Sequence, residues 1–168
     1  NNTPLAHIIR TALKADHFAE AKAVNLSLKF LALGANPSLL CCKQIPHKIK
    51  RFITKADFNF LESVILYFPN DRSLLDKILT HYPHLANLPN ASMSGITPLM
   101  LAAINNNALA IEALLEHDAN ISLTELSSKT ALHWATITGS TVTGSTALFT
   151  TITGTNIKSR YLFYDNFQ

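Results

Sequence analysis

The sequence predicts an all-α protein, a solenoid of about four stacked helix pairs with degenerate units at both ends. Two observations lead to this prediction. The segment TPLMLA at 97–102 returns as TALHWA at 130–135, which is a period of 33 residues. Apolar side chains also recur at helical spacing between turn-like segments, as in Ile111, Leu114 and Leu115. A period of this kind indicates side-by-side repeats that share one continuous core.

The clearest unit covers residues 94–122. Thr97 and Pro98 begin its first helix, because proline fits the first helical turn, where its missing N–H costs nothing. Three asparagines at 105–107 form a turn, and a second helix follows it. That helix ends at Asp118, in a place where a left-handed cap and therefore glycine is usual.

This unit, together with the return of its start at Thr130, resembles the ankyrin repeat. The resemblance implies a curved stack of helix pairs whose loop tips and inner helical face bind other proteins. It also implies a structural role for His133, which matches the histidine of the family's TPLH motif and would bridge loop and helix by hydrogen bonding. Met100 holds that place one repeat earlier, so the bridge should be missing there.

The remaining units are weaker copies within a single ankyrin-repeat domain over 1–168. A unit at 1–37 ends in the family-like segment FLALGANP. A unit at 57–87 ends in LAN, in phase with DAN at 118–120. The last unit, at 127–158, matches the repeat pattern at its start and then continues into a segment rich in glycine and β-branched residues. We expect this degenerate unit to cap the end of the array.

Residues 38–56 lie between the first two units and belong to neither, so we expect them to form an extra linker or helix. A helix could follow Pro46, and an alternative phasing would pair it with 58–68. The segment 43–55 is also the densest basic stretch of the chain, and it is interrupted by Phe52 and Ile53. That interruption favours an amphipathic helix with a solvated basic face.

Composition and motifs argue against catalysis. The net charge of +3 is too small to indicate nucleic acid by itself, and no apolar run reaches the ~18 residues of a membrane span. The only two cysteines are adjacent, whereas a zinc site needs spaced ligands. No catalytic residue, metal ligand, cofactor or small-molecule substrate is therefore predicted. We expect a cytoplasmic protein, or one that a bacterium secretes into a host cell.

The predicted partner is another protein. Trp134 should lie on the exposed inner face of its helix, and an exposed apolar row with a tryptophan is typical of a binding hot spot. The candidate partner-binding residues on this face and its adjoining loops are Ile96, Leu101, Ile104, Asn105, Lys129, Trp134 and Ile137.

Two other functions stay open. Degenerate repeats of this kind also resemble those of effectors from intracellular bacteria, so the chain could be the targeting segment of a longer effector whose catalytic domain lies outside these residues. Alternatively, the basic stretch at 43–55 could bind nucleic acid or an acidic surface.

Overall fold

The structure, a computed structural model of the chain, describes residues 3–12 and 18–138. Seven α-helices occupy about half of these residues and form nearly all of their regular structure, so the all-α prediction is confirmed. They are α1 (Pro4–Ala12), α2 (Phe18–Ala32), α3 (Phe60–Tyr67), α4 (Arg72–His81), α5 (Pro98–Ile104), α6 (Ala108–Glu116) and α7 (Ala131–Thr138). Two short strands, β1 (Leu40–Cys42) and β2 (Phe58–Asn59), lie between the second and third helices.

The helices form antiparallel pairs that stack into two layers. Helix α1 packs on α2, α3 on α4, and α5 on α6. The first helices of successive pairs contact one another in the order α1, α3, α5 and α7, and the second helices do so in the order α2, α4 and α6. Helix α7 opens a fourth unit. The rest of that unit, with the cap expected at 139–168, lies outside the described residues, and the unit boundaries stay predictions.

Local side chains explain where the helices begin and end. The Thr97 hydroxyl accepts a hydrogen bond from the Met100 N–H (3.3 Å), and Pro98 occupies the first turn of α5. The Asn107 side chain caps α6 in the same way, at 3.0 Å from the Ala110 nitrogen. Asp118 has a φ of 59°, so the left-handed cap expected at this position is confirmed.

A hydrogen-bond ladder joins neighbouring repeats outside the helices. Asn87 and Asn120 are equivalent residues, 33 positions apart. The Asn87 amide donates to the Asp118 carbonyl at 3.1 Å, and its Oδ1 accepts from the Asn120 N–H at 2.7 Å. Because the same side chain satisfies two backbone groups of the next repeat, it fixes the register between the two units.

The segment between the first two predicted units is held at both ends by a two-stranded sheet. Strands β1 and β2 pair antiparallel, with Leu40 opposite Asn59 and Cys42 opposite Phe58. We call residues 43–57 between them the finger. Of the two alternatives for 38–56, the structure shows a linker with a single 3-10 turn at His47–Ile49, and α3 pairs with α4. The amphipathic helix expected for 43–55 is therefore wrong, because Pro46 is followed by one turn only.

Candidate functional site

The finger reaches across the inner layer of first helices. The Lys48 ammonium donates to the Asn105 carbonyl, at the C-terminal end of α5, over 2.8 Å. The rings of Phe52 and Trp134 meet edge to face with centroids 6.0 Å apart, which brings the finger onto α7. Ile49 and Ile53 are buried, so the finger contributes its own apolar side chains to the core. The inner layer is thus covered by a segment of the same chain.

Four of the seven predicted partner-binding residues are buried in the structure. Leu101 is 0% exposed and Ile104 is 2% exposed, and both are packed in the core. Ile96 and Asn105 are buried as well. The expectation that Leu101 and Ile104 share an exposed row with Trp134 and Ile137 is therefore wrong. Helix α5 packs against α3, α6 and α7, and the finger contacts its C-terminal end at Asn105.

The other three predicted residues are accessible. Trp134 and Lys129 are half-buried, and Ile137 on α7 is 50% exposed. Leu115 is also half-buried, whereas Leu114 is fully buried. Trp134 is thus more exposed than Leu114, whereas Leu101 and Ile104 on α5 are buried like Leu114.

Two loop tips stand beside the finger. The first tip, residues 90–96, is closed by a hydrogen bond from the Asn90 N–H to the Ile96 carbonyl at 2.9 Å. The second tip, residues 125–129, is closed by one from the Glu125 N–H to the Lys129 carbonyl at 3.2 Å. The Leu126 N–H donates to the Ser94 carbonyl at 3.0 Å and ties the tips together. Leu126 itself is 85% exposed.

A groove of about 300 Å³ lies between the finger and the two tips. Residues 52–55 of the finger form one wall, and both tips contribute to the other. Ile96, Lys129 and Trp134 all line this groove, so the structure brings together three of the seven predicted residues. Ile137 is not among the lining residues.

The groove combines aromatic and cationic groups. The Lys129 ammonium lies 5.6 Å from the Trp134 ring centroid and 3.7 Å from the Glu125 carboxylate. The Arg51 guanidinium lies 4.5 Å above the Phe52 ring. The Trp134 indole N–H is buried and has no acceptor among the described residues. Such a site can hold acidic and aromatic groups through charge and cation–π attraction.

The finger is anchored at its base by a polar cluster that sequence reasoning missed. The Asn59 side chain accepts from the Glu62 N–H (2.9 Å), and Glu62 accepts from the Asn59 N–H (2.8 Å). The Asn90 amide bridges Glu62 (2.9 Å) and the Asp57 carbonyl (2.9 Å). Glu62 is 1% exposed, and this burial raises its pKa to about 7 despite the hydrogen bonds it accepts. The spacing Asn-x-x-Glu before an apolar run is a capping-box signature that could have revealed the pair.

His133 has the structural role that the resemblance implied. Its Nδ1 accepts from the Thr130 N–H at 3.2 Å and lies 2.8 Å from the Thr130 hydroxyl. The side chain therefore ties the start of α7 to the preceding loop. At the equivalent place one repeat earlier, the Met100 side chain is buried and apolar, and Thr97 caps the helix alone.

Within 3–12 and 18–138, no group of three or more acidic, histidine or cysteine side chains is arranged to hold a metal ion. None of the helices in the part of the chain that the structure describes is both long and apolar enough to cross a membrane.

Comparison with known proteins identifies the repeats. A protein-family model described as "Ankyrin repeats (3 copies)" matches residues 63–143. No curated protein sequence matches this chain. A chain from the solved complex of the Bd0816 predatory endopeptidase of Bdellovibrio bacteriovorus with the immunity protein Bd3460 has a similar structure, with a TM-score of 0.59 and 20% sequence identity.

That alignment covers 79% of this chain, which spans 60% of the length of the solved chain. At this level of identity the likeness shows the fold alone. The matched residues include helices α4 to α7 and part of α3. Residues 63–143 therefore match the ankyrin-repeat family in sequence, and helices α4 to α7 have the stacked arrangement described above.

Proposed function

We propose that this chain is a non-catalytic protein-binding module that holds its partner in the groove between the finger and the two tips. Ankyrin repeats serve as protein–protein interaction modules, and the similar solved chain comes from a complex of two proteins. The observation that carries the choice of the groove is Trp134. It is the only tryptophan of the chain, it is half-buried at the groove, and a lysine lies beside its ring.

The surroundings of the groove support the same proposal. Leu126 projects from the second tip and Ile137 projects from α7, and both are apolar side chains left in contact with water. A half-buried aromatic anchor with apolar and charged neighbours is the usual composition of an interface hot spot. The side chains of α5 are not available for this purpose, because all of them are buried.

The proposal is tested by capture experiments with variants of the intact chain. The immobilised chain should retain a specific protein from a lysate of candidate host cells. Trp134→Ala and Lys129→Ala should each lower the amount retained, because the first removes the anchor and the second removes the adjacent cation. Lys77→Ala on α4 is the control, since Lys77 is exposed and lies in the second-helix layer.

Circular dichroism establishes that each variant is folded. Should Trp134→Ala fail to fold, Lys129→Ala still decides the question, because its side chain lies at the surface of the second tip. Equal retention by Lys129→Ala, Lys77→Ala and the unmodified chain would overturn the groove as the binding site.

A further inference from the structure

The positive charge of the chain is concentrated in the finger. Residues 43–57 contain five of its 14 Lys and Arg residues and one of its 11 Asp and Glu residues. The rest of the chain therefore holds nine basic and ten acidic residues and is close to neutral. A net charge of +3 thus understates how basic the surface around the groove is.

Among the described residues, the fold pairs only one of these five cations with a carboxylate. Lys43 forms an ion pair with Asp57 at 3.2 Å, and Lys48 donates to the Asn105 carbonyl. Lys50, Arg51 and Lys55 are exposed, and no Asp or Glu of the described residues forms an ion pair with them. We call these three residues the basic ridge. Their charges face water.

The basic ridge adjoins the groove. Lys55 lines the finger wall, and Lys129 stands on the opposite wall. Glu125 is the one carboxylate that lines the groove among the described residues, and it is already bound by the Ser127 N–H (2.7 Å) and the Lys129 N–H (3.3 Å). A carboxylate entering between the walls would therefore meet the ammonium groups of Lys55 and of Lys129, the latter 3.7 Å from Glu125, with the aromatic ring of Trp134 beside them.

We propose that the partner presents an acidic segment with apolar side chains, which docks along the basic ridge and into the groove. This inference rests on the proposed protein-binding function and names the chemistry of the partner. Carboxylates of the segment pair with Lys50, Arg51 and Lys55, and an apolar side chain packs on the aromatic pair. Complementary charge of this kind speeds association and selects the partner.

The geometry favours a protein over a nucleic acid. The planes of Phe52 and Trp134 are inclined by 80°, so the two rings do not form a parallel platform on which successive bases would stack. Asp57 and Glu125 also lie beside the cationic groups, and their charges would oppose a continuous row of phosphates.

The test uses the intact chain and three probes. The first is a short peptide of Glu and Leu that lacks tryptophan, the second is the same peptide with Gln in place of Glu, and the third is a single-stranded oligothymidylate of the same net charge as the first. Binding is followed by the emission of Trp134, the only tryptophan of the chain, and by calorimetry. We expect the acidic peptide to change this emission, with an affinity that falls as salt is added.

Charge reversal localises the binding. The double variant Lys50→Glu with Lys55→Glu should lower the affinity for the acidic peptide by about tenfold, because electrostatic attraction is replaced by repulsion. The matched control is Lys29→Glu with Lys77→Glu, which changes the net charge equally through exposed residues of α2 and α4. The control should bind as tightly as the unmodified chain.

Several outcomes would overturn the inference. The first is an equal loss of affinity for the acidic peptide in both double variants, and the second is that this peptide does not bind detectably. The third is that the Gln peptide binds as tightly as the acidic peptide, and the fourth is that the oligothymidylate binds more tightly than the acidic peptide. The last outcome would favour nucleic acid. If a captured protein depends on Lys129 but not on Lys50 and Lys55, the groove function holds and only the acidic partner is excluded.

Discussion

Phe52 and Trp134 lie 82 residues apart in the sequence and meet edge to face, with ring centroids 6.0 Å apart. The first belongs to the finger and the second to α7, so this pair joins a loop near the start of the repeat array to its last described helix. It explains why the inner face is closed and why the accessible surface lies at the groove instead.

Removal of the Phe52 ring should loosen the finger. We expect Phe52→Ala to lower the free energy of unfolding by about 1–2 kcal/mol, because a half-buried ring and one edge-to-face contact are lost. Trp134 emission should shift to longer wavelength as the indole gains contact with water. Urea titration followed by fluorescence measures both effects. Leu126→Ala is the control and should change stability by less than about 0.5 kcal/mol, since that side chain is exposed. An unchanged emission in Phe52→Ala would contradict the contact.

Leu114 is the residue whose truncation should damage the core most clearly within α6. It is 0% exposed, and Leu114→Ala should cost roughly 2–5 kcal/mol through lost burial and the cavity left behind. Leu115→Ala should cost less, because Leu115 is only half-buried. Chemical denaturation of the two variants under identical conditions compares them directly. Equal losses would show that the two side chains are buried alike, against the structure.

Stability should depend on pH through Glu62. Its pKa is about 7 in the folded chain and close to the ordinary 4.5 when unfolded, so the folded state holds the proton more tightly. The resulting stabilisation is complete below about pH 4.5 and is lost as pH rises through 7, with a total of up to about 3 kcal/mol. Unfolding free energies across pH 4.5–8 measure this loss.

The matched variant for this measurement is Glu62→Gln. Glutamine cannot ionise, and its carbonyl can still accept the hydrogen bond from the Asn59 N–H. The difference in stability between the unmodified chain and Glu62→Gln should therefore change with pH, because the other titrating groups are common to both. A constant difference over the whole range would rule out a raised pKa at Glu62.

Asp118→Gly should stabilise the protein. Asp118 adopts a φ of 59°, which strains a residue with a side chain, and glycine reaches this conformation without a steric penalty. The gain should be about 0.5–1 kcal/mol, since the flexibility of glycine in the unfolded chain offsets part of the relief. Thermal and urea unfolding provide the measurement. The opposite substitution at a matched cap, Gly34→Asp at a φ of 84°, should destabilise.

The repeats themselves could be predicted because their signals are local. The helix start at Thr97, the left-handed cap at Asp118 and the hydrogen bonds of His133 each depend on residues within a few positions of one another. The structure agrees with the sequence at all three.

The binding face could not be predicted in the same way. The spacing of Leu101 and Ile104 correctly places them on the first helix of a repeat, but their exposure depends on what covers that helix. The cover is the finger, and its path is set by contacts with distant residues such as Asn105 and Trp134. No local pattern in 43–57 specifies those partners. The buried state of Glu62 likewise depends on Asn90, which lies 28 positions away.

The pairing of β1 with β2 has a consequence for how this chain could be re-engineered. Leu40 lies opposite Asn59, and the Phe60 N–H donates to the Pro37 carbonyl at 2.9 Å, so both ends of the finger leave the stack from a fixed and adjacent pair of points. The entropy of closing a loop between such points changes slowly with its length, by about 0.6 kcal/mol for each doubling. We therefore expect that a foreign sequence can be grafted here if it keeps apolar residues in place of Ile49 and Ile53 and an aromatic residue in place of Phe52. The helical stack can in this sense serve as a scaffold that presents different sequences in the place of the finger.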